Sequence, residues 1–464
     1  MIEISPQTVA HLLYLVHADP TELEEALGEL RAPDIAEALK ELPPEAAAKV
    51  MASLPFDLAV QVFDEPELTR HRCAIIQRIE PARVGPLIEA MSSDQQVDLF
   101  REVTGEERER LLATVSDSTR QSLARLLQYP SETAGGIMTT EFVSVPSDWS
   151  VDRALGLIRE VGGRKETVYA IYIVDPASQS LEHVVSLREL MTSAREENVL
   201  EVGNRRAPLT VTAETDREEA ARLISKYNLL AIPVVDAARR MLGIVTVDDV
   251  IDALVEESTE DVQRFGGMEA LDAPYMEIGF MTMIGKRAGW LCALFVSEML
   301  TATAMQRFQG EIERAAVLAM FIPLVMSSGG NSGSQATSLV IRALALQELR
   351  LKDWWRIALR ELPTGLLLGA ILGVIGFTRI ILWQKLGIFD YGAHYVPLAV
   401  TIGFALVGIV AFGSLAGSML PFLLKRIGFD PASASAPFVA TLVDVTGLVI
   451  YFTVAFIVLH GTLL

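Results

Sequence analysis

The sequence is poor in cysteine and in positive charge. Its 464 residues include only two cysteines, Cys73 and Cys292, which are too few for a disulfide framework or a cysteine-rich zinc site. Lys and Arg number 39 against 59 Asp and Glu, a net charge of −20. Proteins that bind nucleic acid need basic patches to neutralise phosphates, so we expect no nucleic-acid partner. The start, MIEISPQTVAHLLYL, also lacks the basic region and cleavage site of a signal peptide.

Patterns typical of hydrolytic enzymes are absent as well. The sequence has no HExxH motif, no paired catalytic carboxylates and no Ser/His arrangement that we can identify. Of its six histidines, only His394 and His460 follow residue 280. We therefore expect that the protein is not an enzyme.

Charge and hydrophobicity are distributed very unevenly along the chain. Residues 1–280 contain 50 acidic and 26 basic residues, whereas residues 281–464 contain 9 and 13. The later part has five apolar segments that are long enough to cross a bilayer: 288–306, 314–345, 361–384, 394–424 and 434–463. We predict a five-helix α-helical transmembrane domain over residues 283–464, embedded in the lipid bilayer.

The basic residues between these segments predict the orientation. Lys and Arg are enriched in cytoplasmic loops, and here they gather before the first segment, after the second and after the fourth: Lys286, Arg287, Arg350, Lys352, Arg356, Arg360, Lys425 and Arg426. An odd number of spans then leaves the termini on opposite sides. We predict a multi-pass protein of the cell (inner) membrane with a cytoplasmic N-terminus and an external C-terminus.

Polar groups inside the apolar segments are concentrated in two places, the first of which is FIPLVMSSGGNSGSQ in the second segment. Gly329 and Gly330 remove side-chain bulk there, which suits close helix packing. Asn331 and Gln335 are four residues apart and so share a helix face. Two amides beside bare backbone indicate either helix–helix hydrogen bonding or the lining of a wet path.

The second place is Asp444, in the last segment. A carboxylate inside a membrane helix costs at least about 2.5–3.5 kcal/mol on insertion scales, so it normally faces a cavity, a partner or an ion. No basic residue occurs in this segment, and Ala440 lies on the same face one turn earlier. The favoured partner is a cation in a water-filled pore, and a protonated structural aspartate is the alternative.

Residues 139–257 contain an internal repeat. VSVPSDWSVDRALGLI (143–158) corresponds to LTVTAETDREEAARLI (209–224), and AIYIVD corresponds to AIPVVD. Each copy predicts strand, helix, strand, strand and helix, and the pair resembles an α/β tandem CBS domain pair, here residues 131–255. That resemblance implies adenine-nucleotide binding at Thr246 and Asp249, with ATP as a modulator. The first copy departs from the pattern with Ser186 and Glu189.

The regions on either side of the repeat are acidic and helical in pattern. Residues 1–130 show short amphipathic periods separated by proline, which predicts an α-helical N-terminal domain. Residues 256–282 are predicted as a connecting (plug) helix. An acidic stripe leads into it, and it indicates either a solvated face or a surface bridged by a divalent cation: Asp249, Asp252, Glu256 and Glu260.

Together these features resemble the MgtE magnesium channel/transporter family over essentially the whole chain. The stretches that carry the resemblance are FIPLVMSSGGNSGSQ, FDPASASAPFVATLVDVTGL and ETAGGIMTTEFVSV. The resemblance implies a multidomain homodimer with a Mg²⁺-selective pore. It implies that Asp444 and Ala440 hold the ion in the pore, and that Gly329, Gly330 and Asn331, with Gln335, line the path.

The same resemblance implies negative feedback by cytosolic Mg²⁺. The implied sensing residues are Asp94, Asp216, Glu218, Asp249, Asp252, Glu257, Glu260 and Asp261. Asn228 occupies a position where the family often has an acidic residue, which predicts a weaker sensing site there. The predicted function is feedback-gated Mg²⁺ uptake. The alternatives are a transporter for Co²⁺, Ni²⁺ or Mn²⁺ and a nucleotide-sensing membrane receptor.

Overall fold

The computed structural model of the protein describes residues 6–18, 20–203 and 206–462. The chain divides into two compact units, Met1–Leu254 (unit 1) and Val255–Leu464 (unit 2). Unit 1 contains short helices followed by two α/β repeats, and unit 2 contains the long apolar helices.

Short amphipathic helices form the first part of unit 1. Several begin at a proline, such as Pro44 and Pro81, because the first turn of a helix leaves its N–H groups unpaired in any case. Their apolar faces meet in a core that includes the fully buried Phe63, Leu68 and Phe100. The helices are α1 (Pro6–Ala18), α2 (Pro20–Gly28), α3 (Ala32–Glu41), α4 (Pro44–Ser53), α5 (Phe56–Asp64), α6 (Thr69–Ile76), α7 (Pro81–Ala90), α8 (Ser93–Glu102), α9 (Gly105–Leu112) and α10 (Asp117–Leu126).

Each α/β repeat folds as a three-stranded sheet with helices. The strands are β1 (Val143–Pro146), β2 (Ala170–Val174), β3 (Leu181–Ser186), β4 (Val211–Thr212), β5 (Ala231–Val235) and β6 (Met241–Thr246). In both sheets the first strand is parallel to the middle strand and the third is antiparallel to it. The helices are α11 (Val151–Val161), α12 (Leu187–Thr192), α13 (Arg217–Tyr227) and α14 (Val247–Phe265). Both middle strands carry a register shift before their last residue, at Ile173/Val174 and at Val234/Val235.

The segment after α10 joins the N-terminal helices to the second repeat. The backbone N–H of Gly135 donates to the carbonyl of Ala213 at 2.9 Å, and Thr139 and Ile244 exchange two backbone hydrogen bonds of 2.8 and 2.9 Å. One hydrophobic cluster extends from Leu12 in α1 to Val250 in α14. The N-terminal helices and the second repeat therefore share a core.

Unit 2 is built from long apolar helices. Within the described residues, five helices are long and apolar enough to cross a membrane. The elements are α15 (Phe280–Arg307), α16 (Gln309–Arg314), α17 (Ala316–Ala319), α18 (Ile322–Ala345), α19 (Trp354–Lys385), α20 (Tyr395–Arg426) and α21 (Ala436–Leu459).

Several predicted boundaries in this unit differ from the structure, and α19, for example, begins at Trp354, seven residues before the predicted 361. The first membrane helix begins at Phe280, eight residues before the predicted 288, because the helix extends through the polar Lys286 and Arg287. The segment predicted as 314–345 is interrupted between α17 and α18, where the ring of Pro323 is incompatible with the preceding helical turn. The predicted connecting helix 256–282 is not continuous. Helix α14 ends at Phe265, and Gly267 then adopts φ +76°, which favours glycine.

Small residues let α18 approach its neighbours closely. A Cβ atom at Gly329 would lie 2.5 Å from Ile409 Cγ2 on α20 and 2.8 Å from Val443 Cγ1 on α21. The hydroxyls of Ser332 and Ser414 are 2.7 Å apart, so α18 and α20 also share a buried hydrogen bond. Helix α18 is thus packed between α20 and α21 on its glycine face.

Candidate ion pathway and acidic surfaces

The polar residues predicted on α18 lie on its exposed face. Ser327, Asn331 and Gln335 follow one another at four-residue intervals, so they form a stripe, and all three are exposed. Asn331 Nδ2 donates to Ser327 Oγ at 3.5 Å. Gly329 and Gly330 are buried. The structure therefore places the two amides on one exposed face of α18 and the two glycines in helix packing.

Ala440 and Asp444 lie on α21 beside this helix. A Cβ atom at Gly330 would lie 3.4 Å from Ala440 Cβ, an ordinary van der Waals contact. Asp444 follows one turn later and is half-buried. Among the residues described in unit 2, the charged group that acts on Asp444 is another carboxylate, Glu298 on α15. No positive side chain in the described residues forms an ion pair with Asp444.

Unit 1 contains a group of carboxylates centred on Asp94, at the start of α8. We call this group the acidic cluster; its members are Asp64, Asp94, Asp98, Glu141, Glu166 and Asp249. Asp94 is buried, and within the described residues its Oδ1 has no hydrogen-bond partner. Its charge acts on every other member. The fold thus joins Asp94 and Asp249, which the sequence analysis singled out separately.

Burial makes these carboxylates costly to ionise. It is the largest cause that raises the pKa of Asp64 to about 6, those of Glu141 and Glu166 to about 7 and that of Asp249 to about 8. Repulsion from Asp94 raises all four pKa values further. A proton or a cation relieves both effects, so the cluster is suited chemically to bind positive charge.

Arg72 supplies limited neutralisation to the cluster. Its guanidinium is fully buried, and Nη2 donates to the carbonyls of Asp64 and Glu65 and to Gln95 Oε1 at 3.0, 2.9 and 2.7 Å. Within the described residues, Nε and Nη1 have no hydrogen-bond partner. Burial lowers the pKa of Arg72. Within the described residues, the cations that act on the six carboxylates are Arg72, Arg101, which forms an ion pair with Asp98 at 3.2 Å, and Lys165, so the carboxylates outnumber them.

Three further predicted sensing residues of unit 1 are not members of the acidic cluster. Asp252 lies on α14, where burial and then the charge of Glu67 raise its pKa. Asp216 and Glu218 are exposed at the start of α13. The Asp216 carboxylate accepts a 2.8 Å hydrogen bond from the Glu218 backbone N–H and so caps the helix. A capping role accounts for Asp216 without an ion.

The remaining predicted sensing residues, Glu257, Glu260 and Asp261, belong to unit 2. Arg264 Nη2 donates to Glu260 Oε2 at 2.7 Å, and Nη1 donates to Asp430, which precedes α21. Burial, followed by the charges of Asp430 and Glu257, raises the pKa of Asp261 to about 6. Across the described residues of both units, no three or more His, Cys, Asp or Glu side chains are arranged to hold a metal ion.

The predicted nucleotide residues form a helix start. The backbone N–H and the hydroxyl of Thr246 both donate to Asp249 Oδ2, at the beginning of α14. In the first repeat the backbone N–H and hydroxyl of Ser186 donate to Glu189 Oε2 at 2.8 and 2.6 Å. This capping arrangement stabilises a helix in both repeats, which is a structural reason for the pattern that needs no ligand.

Asn228 also has a structural explanation. It ends α13 with φ 51° and ψ 47°, the left-handed conformation, and its backbone N–H donates to carbonyls of the last turn. Asparagine tolerates this conformation better than most side chains. The departure from the family pattern at this position is therefore compatible with the local backbone.

Family models match most of the chain. The model MgtE, described as a divalent cation transporter, matches residues 322–454, and MgtE_N, described as the MgtE intracellular N domain, matches residues 17–132. The CBS domain model matches 134–196 and 199–256. A magnesium transporter MgtE of Thermus thermophilus is 39% identical over 373 residues, which is 80% of this chain and 80% of the relative. The chain belongs to the MgtE family.

Other MgtE proteins are similar over much of their length. A magnesium transporter MgtE of Enterococcus faecalis is 35% identical over 333 residues, 72% of this chain and 70% of the relative. A crystal structure of the cytosolic domain of the Mg²⁺ channel MgtE in complex with ATP covers 52% of this chain and 96% of its own, with 32% identity and a TM-score of 0.49. The family prediction and the predicted multidomain fold class are confirmed.

The sequence analysis did not identify several residues that the structure places near the predicted site residues. Glu298 carries the same signal as Asp444, since it is the one acidic residue in the apolar stretch 288–306, and it could have been found in the same way. Asp64, Glu141 and Asp430 carry no local signal. Their proximity to other carboxylates arises only from the tertiary fold.

Proposed function

We propose that this MgtE-family protein transports Mg²⁺ across the cell membrane along the polar face of α18 and past Asp444. The observation that carries the proposal is the unneutralised carboxylate of Asp444, on a membrane helix that contacts the helix bearing Asn331 and Gln335. Mg²⁺ prefers oxygen ligands and gives up its water reluctantly. Carboxylate and amide oxygens can hold the hydrated ion through its water shell.

The proposed transporter is a homodimer with unit 1 in the cytoplasm. The stripe of Ser327, Asn331 and Gln335 is exposed in a single chain, and polar side chains in a membrane face the protein interior or water rather than lipid. A second copy placed against this stripe encloses a polar path. Basic residues before α15, after α18 and at the end of α20 support the cytoplasmic location of unit 1 and an external C-terminus.

The proposed ion is Mg²⁺ rather than a softer divalent metal. The pathway residues that we name offer oxygen donors, and imidazole or thiolate ligands are what favour Co²⁺ or Ni²⁺ binding. Measuring the fluxes of Co²⁺, Ni²⁺ and Mn²⁺ beside that of Mg²⁺ tests the alternative ions that the sequence analysis left open.

Transport is tested in proteoliposomes loaded with a Mg²⁺ indicator. We expect Asp444→Asn and Asp444→Ala to lose Mg²⁺ influx, because both remove the charge that holds the ion. Glu348→Gln removes an exposed carboxylate between α18 and α19 and serves as the matched control with normal influx. Full influx through folded, inserted Asp444→Ala would move the path away from this residue.

We also propose that the acidic residues of unit 1 and of α14 provide negative feedback. Buried, mutually repelling carboxylates gain most from a divalent cation, because the ion offsets both burial and repulsion. At high internal Mg²⁺ the bound ions compact the cytoplasmic part and close the path. At low Mg²⁺ the repulsion returns and the path opens.

Feedback is tested by limited proteolysis of the full-length protein across a Mg²⁺ titration. The variant Asp249→Ala/Asp252→Ala/Glu257→Ala should need more Mg²⁺ for protection, because it lacks three of the proposed ligand carboxylates. The control Glu106→Ala/Glu109→Ala removes exposed carboxylates of α9 and should behave as wild type. Unchanged protection of the triple variant would contradict the feedback proposal.

ATP enters the proposal as a modulator at the second repeat. Its support is the Thr246–Asp249 pattern, in which Asp249 also belongs to the acidic cluster. A nucleotide and a cation would then compete for, or share, one carboxylate. Equilibrium dialysis with ATP, with and without Mg²⁺, tests this directly, and absence of ATP binding in both conditions would remove the modulator from the proposal.

A further inference from the structure

Helices α15 and α21 run side by side in the same direction and touch at two levels. At the lower contact, Trp290, ten residues after the start of α15, donates from Nε1 to Ser435 Oγ, the cap of α21, at 3.2 Å. At the upper contact, the ring of Phe308, directly after α15, stacks on that of Phe452, seven residues before the end of α21, with centroids 4.7 Å apart. The two contacts fix the height of each residue of one helix relative to the other.

Glu298 and Asp444 lie at nearly the same height in this pair. Glu298 follows Trp290 by eight residues, and Asp444 follows Ser435 by nine. At about 1.5 Å per residue, the two carboxylates lie about 12 and 14 Å above the lower contact. The electrostatic repulsion between them agrees with this placement.

Glu298 lies beside the packed face of α15 and not on its far side. The half-buried residues of α15 recur at three- and four-residue intervals from Trp290 through Ser297 and Thr301 to Phe308. At about 100° per residue, Glu298 lies roughly 80° from the centre of that stripe. It is exposed in the single chain. Its carboxylate therefore borders the groove beside α21.

Within the described residues, neither carboxylate forms an ion pair. In the described part of the chain, no salt bridge involves Glu298 or Asp444, although a carboxylate in a membrane segment normally requires a partner, a cavity or an ion. Two such groups at one height concentrate negative potential, which attracts cations and raises their local concentration.

We propose that Glu298 is a second carboxylate of the ion path, which acts with Asp444 to attract and position a hydrated divalent cation. This inference rests on the proposed transport function and adds a specificity-determining residue to it. Asp444 holds the ion, and Glu298 lowers the concentration at which the ion enters. The ligand class is a hydrated divalent cation such as Mg²⁺, held through its water.

The test is Mg²⁺ influx into proteoliposomes as a function of external Mg²⁺ for wild type, Glu298→Gln, Glu298→Asp and Asp444→Asn. We expect Glu298→Gln to raise the half-saturating Mg²⁺ concentration about tenfold, while Glu298→Asp, which keeps the charge, stays within about threefold of wild type. The wild-type advantage over Glu298→Gln should shrink as ionic strength rises, because salt screens the attraction. A merely structural role of Glu298 would not give this salt dependence.

The outcomes separate this inference from the function on which it rests. Absence of influx in wild type would overturn the transport proposal itself. Wild-type influx, loss in Asp444→Asn and an unchanged half-saturating concentration in Glu298→Gln would overturn the role of Glu298 alone, and would mean that this side chain does not border the path. Glu348→Gln controls for the loss of a carboxylate elsewhere in unit 2. If Glu298→Gln is inserted poorly, Glu298→Ala with the same salt series replaces it.

Discussion

Glu141 offers the most direct test of the acidic cluster, because its ionised carboxylate destabilises the folded state and makes no hydrogen bond within the described residues that a substitution would break. It precedes β1, and within the described residues its side chain forms no hydrogen bond or salt bridge. Burial, with repulsion from Asp64 and Asp94, raises its pKa from 4.5 to about 7, despite the attraction of Lys165. Glu141→Gln keeps the shape of the side chain and removes the charge. We expect this variant to be more stable than wild type at pH 8 in EDTA.

The size of the gain follows from the pKa difference. The folded pKa lies above the unfolded one, so the folded state is destabilised progressively as the pH rises above about 4.5, and the effect is complete above about 7. The full difference corresponds to about 3 kcal/mol. The side chain is partly solvated, and screening reduces the expected gain to about 1–2 kcal/mol.

Amide hydrogen exchange of the full-length protein in detergent measures this gain locally. In Glu141→Gln, peptides that cover α8 and β1 should exchange about tenfold more slowly than in wild type at pH 8. At pH 5 most of the difference should vanish, after correction for intrinsic exchange rates. The exposed Glu182→Gln on β3 is the control. Equal exchange of wild type and Glu141→Gln at pH 8, or a gain of equal size at pH 5, would refute the reasoning.

Two further predictions concern the backbone and the helix packing. Asn228→Ala should destabilise unit 1 by about 1 kcal/mol, because alanine tolerates the left-handed conformation poorly, whereas Asn228→Gly should be close to neutral; hydrogen exchange at the end of α13 distinguishes them. Gly329→Ala should destabilise the protein by about 1–3 kcal/mol, because the added methyl clashes with Ile409 and Val443, and this should lower the thermal unfolding temperature in detergent. Gly285→Ala on α15, where the added methyl meets open space, is the control, and equal unfolding temperatures would contradict the packing argument.

The sequence predicts the long elements well because their signals are local. Within the described residues, the five apolar runs and the visible repeat correspond to five helices that are long and apolar enough to cross a membrane and to two similar sheets. The ends of the helices are harder to predict from the sequence. The start of α15 at Phe280 lies before two basic residues that interrupt the hydropathy, Lys286 and Arg287. The break between α17 and α18, at Met320 and Phe321 just before Pro323, leaves the hydropathy of the segment unchanged.

The candidate sites divide in the same way. Asp444 stands out because a single carboxylate interrupts an apolar run, and Glu298 could be found by that rule. By contrast, Asp64, Asp94 and Glu141 are ordinary acidic residues in an acidic half of the chain. They become a cluster only when α8, the segment before β1 and α14 are packed together, and this depends on contacts between residues distant in sequence.

The pairing of Arg264 with both Glu260 and Asp430 has a consequence for any ion that binds there. A side chain attached to the same chain behaves as a competitor at a fixed effective concentration, on the order of millimolar for a short flexible connection. A divalent cation that used Asp430 Oδ2 would have to compete with this guanidinium. If the proposed feedback uses this carboxylate, the tethered guanidinium would set a threshold, because an ion would bind only when its free concentration approached the effective concentration of this built-in competitor.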